Sequence, residues 1–333
     1  MATRMTLCLA LCLSAACAHQ RPAVEGVEPV VAAHERWLAG GERSEVALRG
    51  GAPVRVFNRV EGEGPWVTAL HGFPTSSWDW AGVSRRLKDR YRLLALDWLG
   101  FGDSDKPADH RYTIAEQADL LEAIWRRHGV KETFLLSHDY GDTVTQELLR
   151  REAAGALGVR LRGVVVLNGS VYGALNRPLL IQQLLQVPVV GGLVSRLVSE
   201  ERFGESFRRI FSLAHPITGA ELHAHWRAIR RRDGNLIYDR LVHHYGEQRD
   251  HGAPWEAAME RSRVPLRFVW GMADPVSGKP IAEQLRRRIP GAVVRELEDV
   301  GHYPQLEVPA LVAFEADAFF AEVARAEAGA AAR

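Results

Sequence analysis

One segment of the chain places a carboxylate at the tip of a tight turn. An apolar run ends at Leu136, the letters S-H-D-Y-G follow, and a helical pattern begins after them. A nucleophile elbow needs small residues two places before and two places after its reactive side chain, and Ser137 and Gly141 occupy those places. The tip is Asp139, which a turn at a helix N-terminus would keep ionised and open to substrate. Taken alone, the segment fits a helix-capping Asp in an ordinary loop equally well.

A second turn of the same kind lies earlier in the chain. The run 67–70 leads into H-G-F-P at residues 71–74 and then into a helical pattern. In hydrolases with a nucleophile elbow, the loop after such a strand donates one N–H to the oxyanion, and the residue after the nucleophile donates the other. The sequence therefore predicts an oxyanion hole made by the backbone N–H groups of Phe73 and Tyr140. Alone, H-G-F-P is also compatible with a simple turn.

Two late loops complete a possible triad. Asp274 follows the apolar run 266–270, and His302 lies in a loop near the end of the chain. The order nucleophile, acid, histidine is the order of hydrolases with this elbow, and Asp274 would fix the tautomer of His302 and stabilise its charged form. A loop Asp or His alone is more often solvated than catalytic. Their joint order after successive strands predicts the triad Asp139, Asp274 and His302.

The elements that must position these residues alternate between strands and helices. Near-continuous apolar runs separated by helical stretches are typical of a parallel sheet that is buried on both faces. We therefore predict an α/β fold with a mostly parallel central sheet flanked by helices. The predicted strands cover residues 54–60, 66–70, 91–97, 133–136, 163–167, 266–270 and 293–297, and the clearest helices cover residues 114–127 and 141–152.

A long helical interval interrupts this alternation. Residues 170–263 contain no convincing strand pattern and are rich in Arg, Leu and His. An inserted helical cap over the carboxyl ends of the strands explains the interval, because ligands bind there in such sheets. A separate α-helical domain is the alternative. The prediction divides the body into a first core part at 44–169, the cap, a second core part at 264–325 and a tail at 326–333.

The first residues have the pattern of an export signal. Arg4 precedes an apolar or small run at residues 6–16, which is too short to span a bilayer as a helix. The run ends at S-A-A-C, which resembles the lipobox of bacterial lipoproteins, although Ser14 stands where Leu is usual. We predict a signal peptide at 1–16, lipidation of Cys17 and a tether at 17–43. Simple cleavage or an uncleaved anchor are the alternatives, and in every case the protein is expected to be exported: membrane-anchored, or else periplasmic or secreted.

Cysteine positions and net charge restrict the chemistry of the body. The chain has 333 residues with 42 Lys and Arg against 41 Asp and Glu, so its formal net charge of +1 gives no reason to expect a nucleic acid partner. Its cysteines are Cys8, Cys12 and Cys17. The body after Cys17 therefore has no disulfide, no cysteine-bound metal and no thiol nucleophile.

Several longer stretches make the chain resemble a known family. They are H-G-F-P-T-S-S-W-D-W at 71–80, D-W-L-G-F-G-D-S-D-K-P at 97–107, L-S-H-D-Y-G-D-T-V-T-Q-E-L-L at 136–149, R-P-L-L at 177–180, D-G-N-L at 233–236 and H-Y-P-Q-L-E at 302–307. The chain resembles α/β-hydrolases of the epoxide hydrolase and haloalkane dehalogenase branch, and it is most similar to the mesoderm-specific transcript protein group. The resemblance runs from about residue 54 to residue 320 and includes the cap.

The resemblance implies a two-step hydrolysis. Asp139 attacks an electrophilic carbon of a small or lipid-like substrate and forms an alkyl-enzyme ester. His302 then activates a water that attacks the Asp139 carbonyl, while the Phe73 and Tyr140 amides hold the oxyanion. Water is the second substrate, and no metal or organic cofactor is required.

The family's two chemistries differ in how the leaving group is stabilised. Epoxide opening takes a proton from cap tyrosines, for which Tyr245 is the first candidate and Tyr172 the second. Halide release usually needs a Trp after the nucleophile and a second Trp or Asn, whereas this chain has Tyr140 and Phe73 there, with Trp78 as a remaining possible donor. Epoxide hydrolase-like chemistry is the leading hypothesis and haloalkane dehalogenase the alternative. An esterase or lactonase is disfavoured by the missing Ser, and an idle binding protein by the complete triad.

Overall fold

A mostly parallel sheet is the centre of the computed structural model, which describes residues 27–48 and 51–331. The described residues form eight strands in the order β1-β2-β4-β3-β5-β6-β7-β8. The pairs β1–β2 and β2–β4 are antiparallel, and the remaining pairs are parallel. The strands are β1 (Glu42–Val46), β2 (Val54–Glu61), β3 (Trp66–Leu70), β4 (Arg92–Leu96), β5 (Glu132–Ser137), β6 (Arg160–Val166), β7 (Leu266–Gly271) and β8 (Val293–Leu297).

The sheet confirms the predicted fold class and shows one strand that the sequence pattern did not indicate. Each of the seven predicted strands corresponds to one of β2 to β8, with ends that differ by at most a few residues. The unpredicted strand, β1, has the sequence E-R-S-E-V and lies at the edge of the sheet. Only Ser44 and Val46 in it are buried, so the apolar alternation on which the prediction depended is absent.

Alternate side chains of each central strand enter two separate apolar cores. In β5, Leu135 packs into the core on one face, while Phe134 and Leu136 pack into the core on the other. This follows from the two-residue repeat of a strand. Because helices cover both faces, the central strands are mostly apolar, with buried polar exceptions such as Thr68 in β3 and Thr133 in β5.

The helices of the described residues flank the sheet and build the cap. Their bounds are α1 (Val27–Ala39), α2 (Ala81–Leu87), α3 (Ile114–Arg127), α4 (Tyr140–Ala153), α5 (Leu180–Leu185), α6 (Val190–Leu197), α7 (Glu200–Arg208), α8 (Gly219–Arg230), α9 (Tyr238–Leu241), α10 (His244–Glu260), α11 (Lys279–Arg288), α12 (Pro304–Glu307) and α13 (Pro309–Ala331). Short 3₁₀ turns cover Ser77–Trp80, Gly173–Leu175 and Arg231–Ile237.

The interval predicted as a cap contains helices joined by loops in the described residues. Helices α5 to α10 all lie between β6 and β7, with no strand at residues 170–263. The cap packs against the core through α10, which contacts α4. Gln248 of α10 donates a hydrogen bond to Thr143 Oγ1 at 2.7 Å, so the cap and the helix after the elbow are joined by a buried polar contact.

The N-terminal part of the body is folded where the sequence analysis placed a tether. Helix α1 lies within residues 17–43, buries His34 and Trp37, and packs against cap helix α8. The Trp37 indole donates a hydrogen bond to Ser77 Oγ at 3.1 Å. The tether prediction was wrong for this segment because it followed the polar residues before α1. Helix α1 itself is amphipathic and buries one face.

The segments predicted at the two ends of the chain differ in whether the structure describes them. The predicted signal peptide and Cys17 lie outside the described residues. The predicted tail at 326–333 continues α13 as far as Ala331. None of the helices in the described part of the chain is both long enough and apolar enough to cross a membrane.

Candidate active site

The nucleophile elbow is formed by the junction of β5 and α4. Asp139 is the residue between them, with φ of 51° and ψ of −109°, a backbone conformation that side chains other than glycine rarely adopt. Such strain persists only where the surroundings enforce it, and it is typical of functional positions. The Asp139 N–H donates to Asn168 O at 3.1 Å and the His138 N–H donates to Leu70 O at 3.1 Å. These bonds hold the turn from the ends of β6 and β3.

Small residues allow the elbow to pack tightly. A side-chain carbon at Gly141 would lie 2.5 Å from Leu70 O, and one at Gly169 would lie 2.9 Å from the Asp139 backbone. Both approaches are closer than any real carbon contact, so larger residues would force the backbone to move. At the other flanking position, the Ser137 hydroxyl donates a hydrogen bond to Asp142 Oδ1 at 2.5 Å. The close packing of the elbow therefore requires small residues, as the sequence pattern predicted.

The two oxygens of the Asp139 carboxylate have different partners. The Phe73 N–H donates to Asp139 Oδ1 at 2.8 Å. Asp139 Oδ2 lies 3.6 Å from His302 Nε2, which is longer than a hydrogen bond. Tyr140 is the first residue of α4, so its N–H has no carbonyl partner within the helix. One oxygen is thus held at the predicted oxyanion hole, and the other faces the histidine.

His302 is fixed by Asp274. The His302 Nδ1–H donates to Asp274 Oδ2 at 2.8 Å. Asp274 also accepts hydrogen bonds from the Ser277 hydroxyl at 2.7 Å and from the Val276 N–H at 2.7 Å. All three triad side chains are buried. The structure therefore brings together the three residues that the order of motifs singled out.

Electrostatics make the triad a chain of alternating charges. Burial alone would lower the pKa of His302, but Asp274 and Asp139 outweigh it and raise this pKa to about 10. Burial alone would raise the pKa of Asp139 and of Asp274, but the neighbouring His302 lowers both below their usual range. The resting site is therefore carboxylate, imidazolium, carboxylate. His138 stays neutral, because burial and the charge of His302 lower its pKa to about 3.

Asn168 is a site residue that the sequence analysis missed. Its side-chain amide donates to Asp274 Oδ2 at 2.9 Å and to Gly271 O at 2.9 Å, while its backbone carbonyl accepts from Asp139 N–H. It therefore links the nucleophile loop to the acid loop. A signal was present, since Asn168 comes directly after the apolar end of β6, at the same sheet edge as the other site residues.

His71 supports the oxyanion loop rather than taking part in the triad. Its Nδ1–H donates to Gly72 O at 2.9 Å, and its Nε2 accepts from the Trp98 N–H at 3.1 Å. The Trp98 indole donates in turn to His71 O at 2.9 Å. Burial lowers the pKa of His71, so the ring remains neutral and holds the residue next to Phe73 in place.

An apolar cavity of ≈ 270 Å³ opens from the cap toward the triad. Phe73 and His302, the two residues that face the Asp139 carboxylate, belong to its wall. Its few polar side chains are Gln182, Arg202, Ser206, Tyr238 and His302, and the other lining residues are Phe73, Pro74, Leu179, Ile181, Leu184, Leu185, Leu193, Val194, Leu197, Val198, Phe203, Phe207, Ile210 and Val276. Such a lining suits an apolar ligand.

The three cap tyrosines have different surroundings. Tyr238, which the sequence analysis did not choose as a donor, lines the cavity, and its ring lies 5.6 Å from that of Phe73. Tyr245 is buried, and burial together with the charge of Asp139 raises its pKa. None of the three hydroxyls has a hydrogen-bond partner. The charges that act on Tyr172 include Glu260 and not Asp139, and Glu260 together with burial raises the pKa of Tyr172, so this hydroxyl belongs to a different environment.

Trp78, the remaining candidate for a halide donor, packs away from the cavity. Its ring lies 5.0 Å from that of His34 on α1 and 4.8 Å from that of His225 on α8. No tryptophan or asparagine is among the residues that line the cavity in the described structure. Trp78 therefore joins α1, the core and the cap.

Sequence comparisons place these features among known proteins. The alpha/beta hydrolase family matches residues 69–316. The chain is 41% identical to a putative hydrolase named LipZ from Mycobacterium tuberculosis, over 82% of this chain and 93% of that protein. It is 38% identical to the mesoderm-specific transcript protein of Mus musculus, over 77% of this chain and 80% of that protein.

Solved structures with the same fold include two kinds of hydrolase. The haloalkane dehalogenase DbeA from Bradyrhizobium elkani superposes with a TM-score of 0.71 at 21% identity, over 86% of this chain and 99% of that one. The epoxide hydrolase CorEH superposes with a TM-score of 0.67 at 17% identity, over 85% and 99%. At such low identities the superpositions establish the shared fold and leave the substrate open.

Proposed function

Because this chain belongs to the alpha/beta hydrolase family and is a hydrolase of that family, we propose that it works through a covalent ester on Asp139. The observation that carries the proposal is the asymmetric hold on the Asp139 carboxylate. Oδ1 accepts from the Phe73 N–H, and Oδ2 faces His302, which is paired with Asp274. This arrangement leaves Oδ2 free to attack carbon and Oδ1 ready to become the oxyanion.

The first step opens an epoxide ring in the proposed reaction. Asp139 Oδ2 bonds to a ring carbon, the carbon–oxygen bond breaks, and the leaving oxygen takes a proton from a cap tyrosine. Tyr238 and Tyr245 are the proposed donors because Tyr238 lines the cavity beside Phe73, and Tyr245 is close enough to Asp139 for that carboxylate to raise its pKa. Burial raises the pKa of each phenol, so both are protonated at neutral pH and can donate.

Ester formation then changes the electrostatic environment of His302. Asp139 loses its negative charge when it is alkylated, which removes one of the two carboxylates that raise the pKa of His302. The imidazolium can now return a proton to the tyrosinate and become a neutral base. The raised resting pKa of His302 thus fits a cycle in which its proton is released only after the nucleophile has reacted.

The second step hydrolyses the ester. His302 takes a proton from water, the hydroxide adds to the Asp139 carboxyl carbon, and the charge on Oδ1 is stabilised by the Phe73 and Tyr140 N–H groups. Collapse breaks the bond between the Asp139 carboxyl carbon and the former Oδ2, which leaves with the diol. This oxygen takes the second proton of the water, and the water oxygen stays in the Asp139 carboxylate. His302 is again an imidazolium, so water and epoxide have been converted to a diol with the enzyme restored.

Haloalkane dehalogenation is the alternative within the same covalent mechanism. Haloalkane dehalogenases are among the solved structures that share this fold, but a halide needs N–H donors at the leaving group. The cavity lining in the described residues includes one tyrosine hydroxyl, that of Tyr238, and neither of the residue types, Trp and Asn, that usually hold a halide. This lining favours epoxide opening. Assaying diol formation and bromide release on matched epoxides and alkyl bromides separates the two chemistries.

Isotope labelling tests the covalent step itself. A single turnover of styrene oxide in heavy-oxygen water is expected to place the label in the peptide that contains Asp139 and to leave the diol unlabelled. The His302→Gln variant is expected to accumulate the ester, seen as a mass increase equal to the substrate. Label found only in the diol would mean that water attacks directly, and no mass increase with a confirmed substrate would argue against the role of His302. An idle binding protein would give neither.

A further inference from the structure

Exposed apolar side chains are concentrated on one segment of the cap. In the described residues, eleven large apolar side chains are exposed, and seven of them lie on or between α5 and α6. Single exposed apolar residues are normal, but a contiguous group marks an interaction surface. We call this group the α5–α6 face, and its members are Leu180, Leu184, Val187, Val189, Val190, Leu193 and Leu197.

The α5–α6 face continues into the cavity. Leu184, Leu193 and Leu197 are 38%, 57% and 63% exposed, and the same three side chains line the cavity whose wall includes His302. Apolar surface therefore extends without a break from the outside of the cap toward the triad. A ligand that moves along this route would stay in contact with apolar side chains throughout.

The segment that carries the α5–α6 face has charges of one sign, and the acidic Asp239 of α9 contacts it at Ser195. Residues 171–199 contain no Asp or Glu, and their only charged side chains are Arg177 and Arg196, both exposed. Arginine binds phosphate groups with its planar donor fork, and basic residues are attracted to anionic lipid surfaces. The segment therefore combines an apolar face with two exposed arginines, and this combination complements a membrane with anionic headgroups.

The described chain begins with a helix that packs on the cap. Twenty-six residues come before Val27, and those at 5–18 are uncharged and mostly apolar or small. Helix α1, which follows, packs on cap helix α8, and Arg227 of α8 lies 3.5 Å from Glu35 of α1. An N-terminal segment held at a membrane would bring the cap side of the molecule close to that membrane.

We propose that the α5–α6 face docks on a lipid surface with anionic headgroups, so that an apolar substrate reaches the cavity directly from the bilayer. The docking stands on the exposed side chains, the charge pattern and the contact of α1, where the described chain begins, with cap helix α8. The substrate route also rests on the proposed function. A surface helix with an apolar side and arginines at its edge binds in this way, in the plane of the membrane interface.

A single labelled cysteine can report whether the face meets lipid. The body after Cys17 has no thiol, so the full chain with Cys8, Cys12 and Cys17 replaced by Ser accepts one cysteine at a chosen site. A polarity-sensitive fluorophore at Leu193→Cys is expected to shift to the blue with vesicles of phosphatidylcholine and phosphatidylglycerol. The matched control is Phe314→Cys on α13, where the native side chain is 66% exposed, and its emission is expected to stay unchanged.

The N-terminal segment is the same in both labelled proteins, so a difference between them reports the face. No shift at position 193 while the protein sediments with the vesicles would overturn the proposal, as would an equal shift with pure phosphatidylcholine vesicles. A shift without vesicles that grows with protein concentration would assign the face to a second copy of the chain and also overturn it. If Leu193→Cys does not fold by circular dichroism, Leu197→Cys takes its place.

Introducing negative charge on the α5–α6 face supplies a second measurement that needs no label. The pair Leu193→Glu and Leu197→Glu in one chain is expected to lower the vesicle partition coefficient by about tenfold or more, because it places carboxylates at the anionic interface. Phe314→Glu is expected to leave it unchanged, and equal partitioning of the two variants would contradict docking through this face. Vesicle binding requires no turnover, so its failure would leave the proposed chemistry standing, and loss of the chemistry would leave docking measurable.

Discussion

At the scale of single residues, the charge on His302 connects the geometry of the site to its chemistry. The imidazole lies between two buried carboxylates, one at 2.8 Å and the other at 3.6 Å. Its raised pKa is therefore a property of the resting enzyme and changes when Asp139 reacts. A base that is held protonated until the ester forms cannot activate water too early, which keeps the two steps in order.

This raised pKa has a measurable effect on stability. The folded protein holds the His302 proton up to about pH 10, whereas the unfolded chain releases it near pH 6.5, so the stabilisation is complete below pH 6.5 and is lost toward pH 10. The unfolding free energy of the parent protein should therefore fall relative to His302→Gln across this range, by on the order of 1 kcal/mol or more. Urea unfolding at several pH values measures it, and parallel curves for the two proteins would contradict the assignment.

The cap tyrosines provide a second prediction for single residues. With an epoxide substrate, Tyr238→Phe and Tyr245→Phe are each expected to lower kcat/KM, and the loss of both hydroxyls by about 10²-fold or more, as for removal of a general acid. Tyr172→Phe is the matched control and is expected to change little, because its hydroxyl is beside Glu260. Equal losses in all three variants would show that the effect comes from packing of the cap.

The sequence indicated the residues that react better than those that support them. Asp139, Asp274 and His302 could be found because each follows a strand in a fixed chain order, and that order needs no knowledge of distances. Asn168 and Tyr238 could not be ranked in this way. Asn168 acts through three side-chain hydrogen bonds to a segment about 100 positions away, and Tyr238 depends on how the cap folds over the core. Such contacts exist only after the chain has folded.

At the scale of elements, the junction of β5 and α4 depends on Gly141. A side-chain carbon there would lie 2.5 Å from Leu70 O, a backbone atom of β3 that cannot move alone. Gly141→Ala is therefore expected to lower the unfolding free energy by about 2 kcal/mol or more and to reduce kcat. Gly158→Ala, where a side-chain carbon would meet nothing within 4 Å, should change stability by less than about 0.5 kcal/mol. Thermal unfolding of both variants measures the difference, and equal stabilities would contradict the packing argument.

Elements with strong apolar patterns were predicted, and elements with weak ones were not. The central strands are mostly apolar because helices cover both faces, so their pattern is visible in the sequence alone. Strand β1 lies at an edge, and two of its five residues are buried. Helix α1 follows a polar, proline-containing stretch, and its buried face is recognisable only from its contact with α8. Both elements owe their stability to partners elsewhere in the chain.

At the scale of the whole molecule, α1 joins the cap to the core. Trp37 donates to Ser77 Oγ on the core side, and the Arg59 guanidinium lies 4.7 Å from the Trp37 ring. On the cap side, Glu35 lies 3.5 Å from Arg227 and 3.6 Å from Arg231. The segment expected to be a tether therefore binds both parts of the hydrolase.

Removal of the Trp37 side chain tests this role. Trp37 is 6% exposed, and Trp37→Ala is expected to lower the unfolding free energy by about 3 kcal/mol through the cavity it leaves and the contacts it loses. Arg36→Ala in the same helix is the control and should change it by less than about 0.5 kcal/mol, since Arg36 is exposed. Urea unfolding measures both, and a stable Trp37→Ala protein would mean that α1 contributes little to the fold.

The position of α1 also limits how the cap can move. The cap is continuous with the sheet at two places, after β6 and before β7, and a body joined at two points can still rotate about the line between them. The packing of α10 on α4 is a further attachment, and the contact of α8 with α1 adds another on a separate part of the chain. A contact that lies away from this line opposes rotation of the cap about it. Movement of the cap is then expected mainly between its own helices. Helices α5 and α6, whose exposed side chains also line the cavity, are the elements in which such movement would change access to the triad.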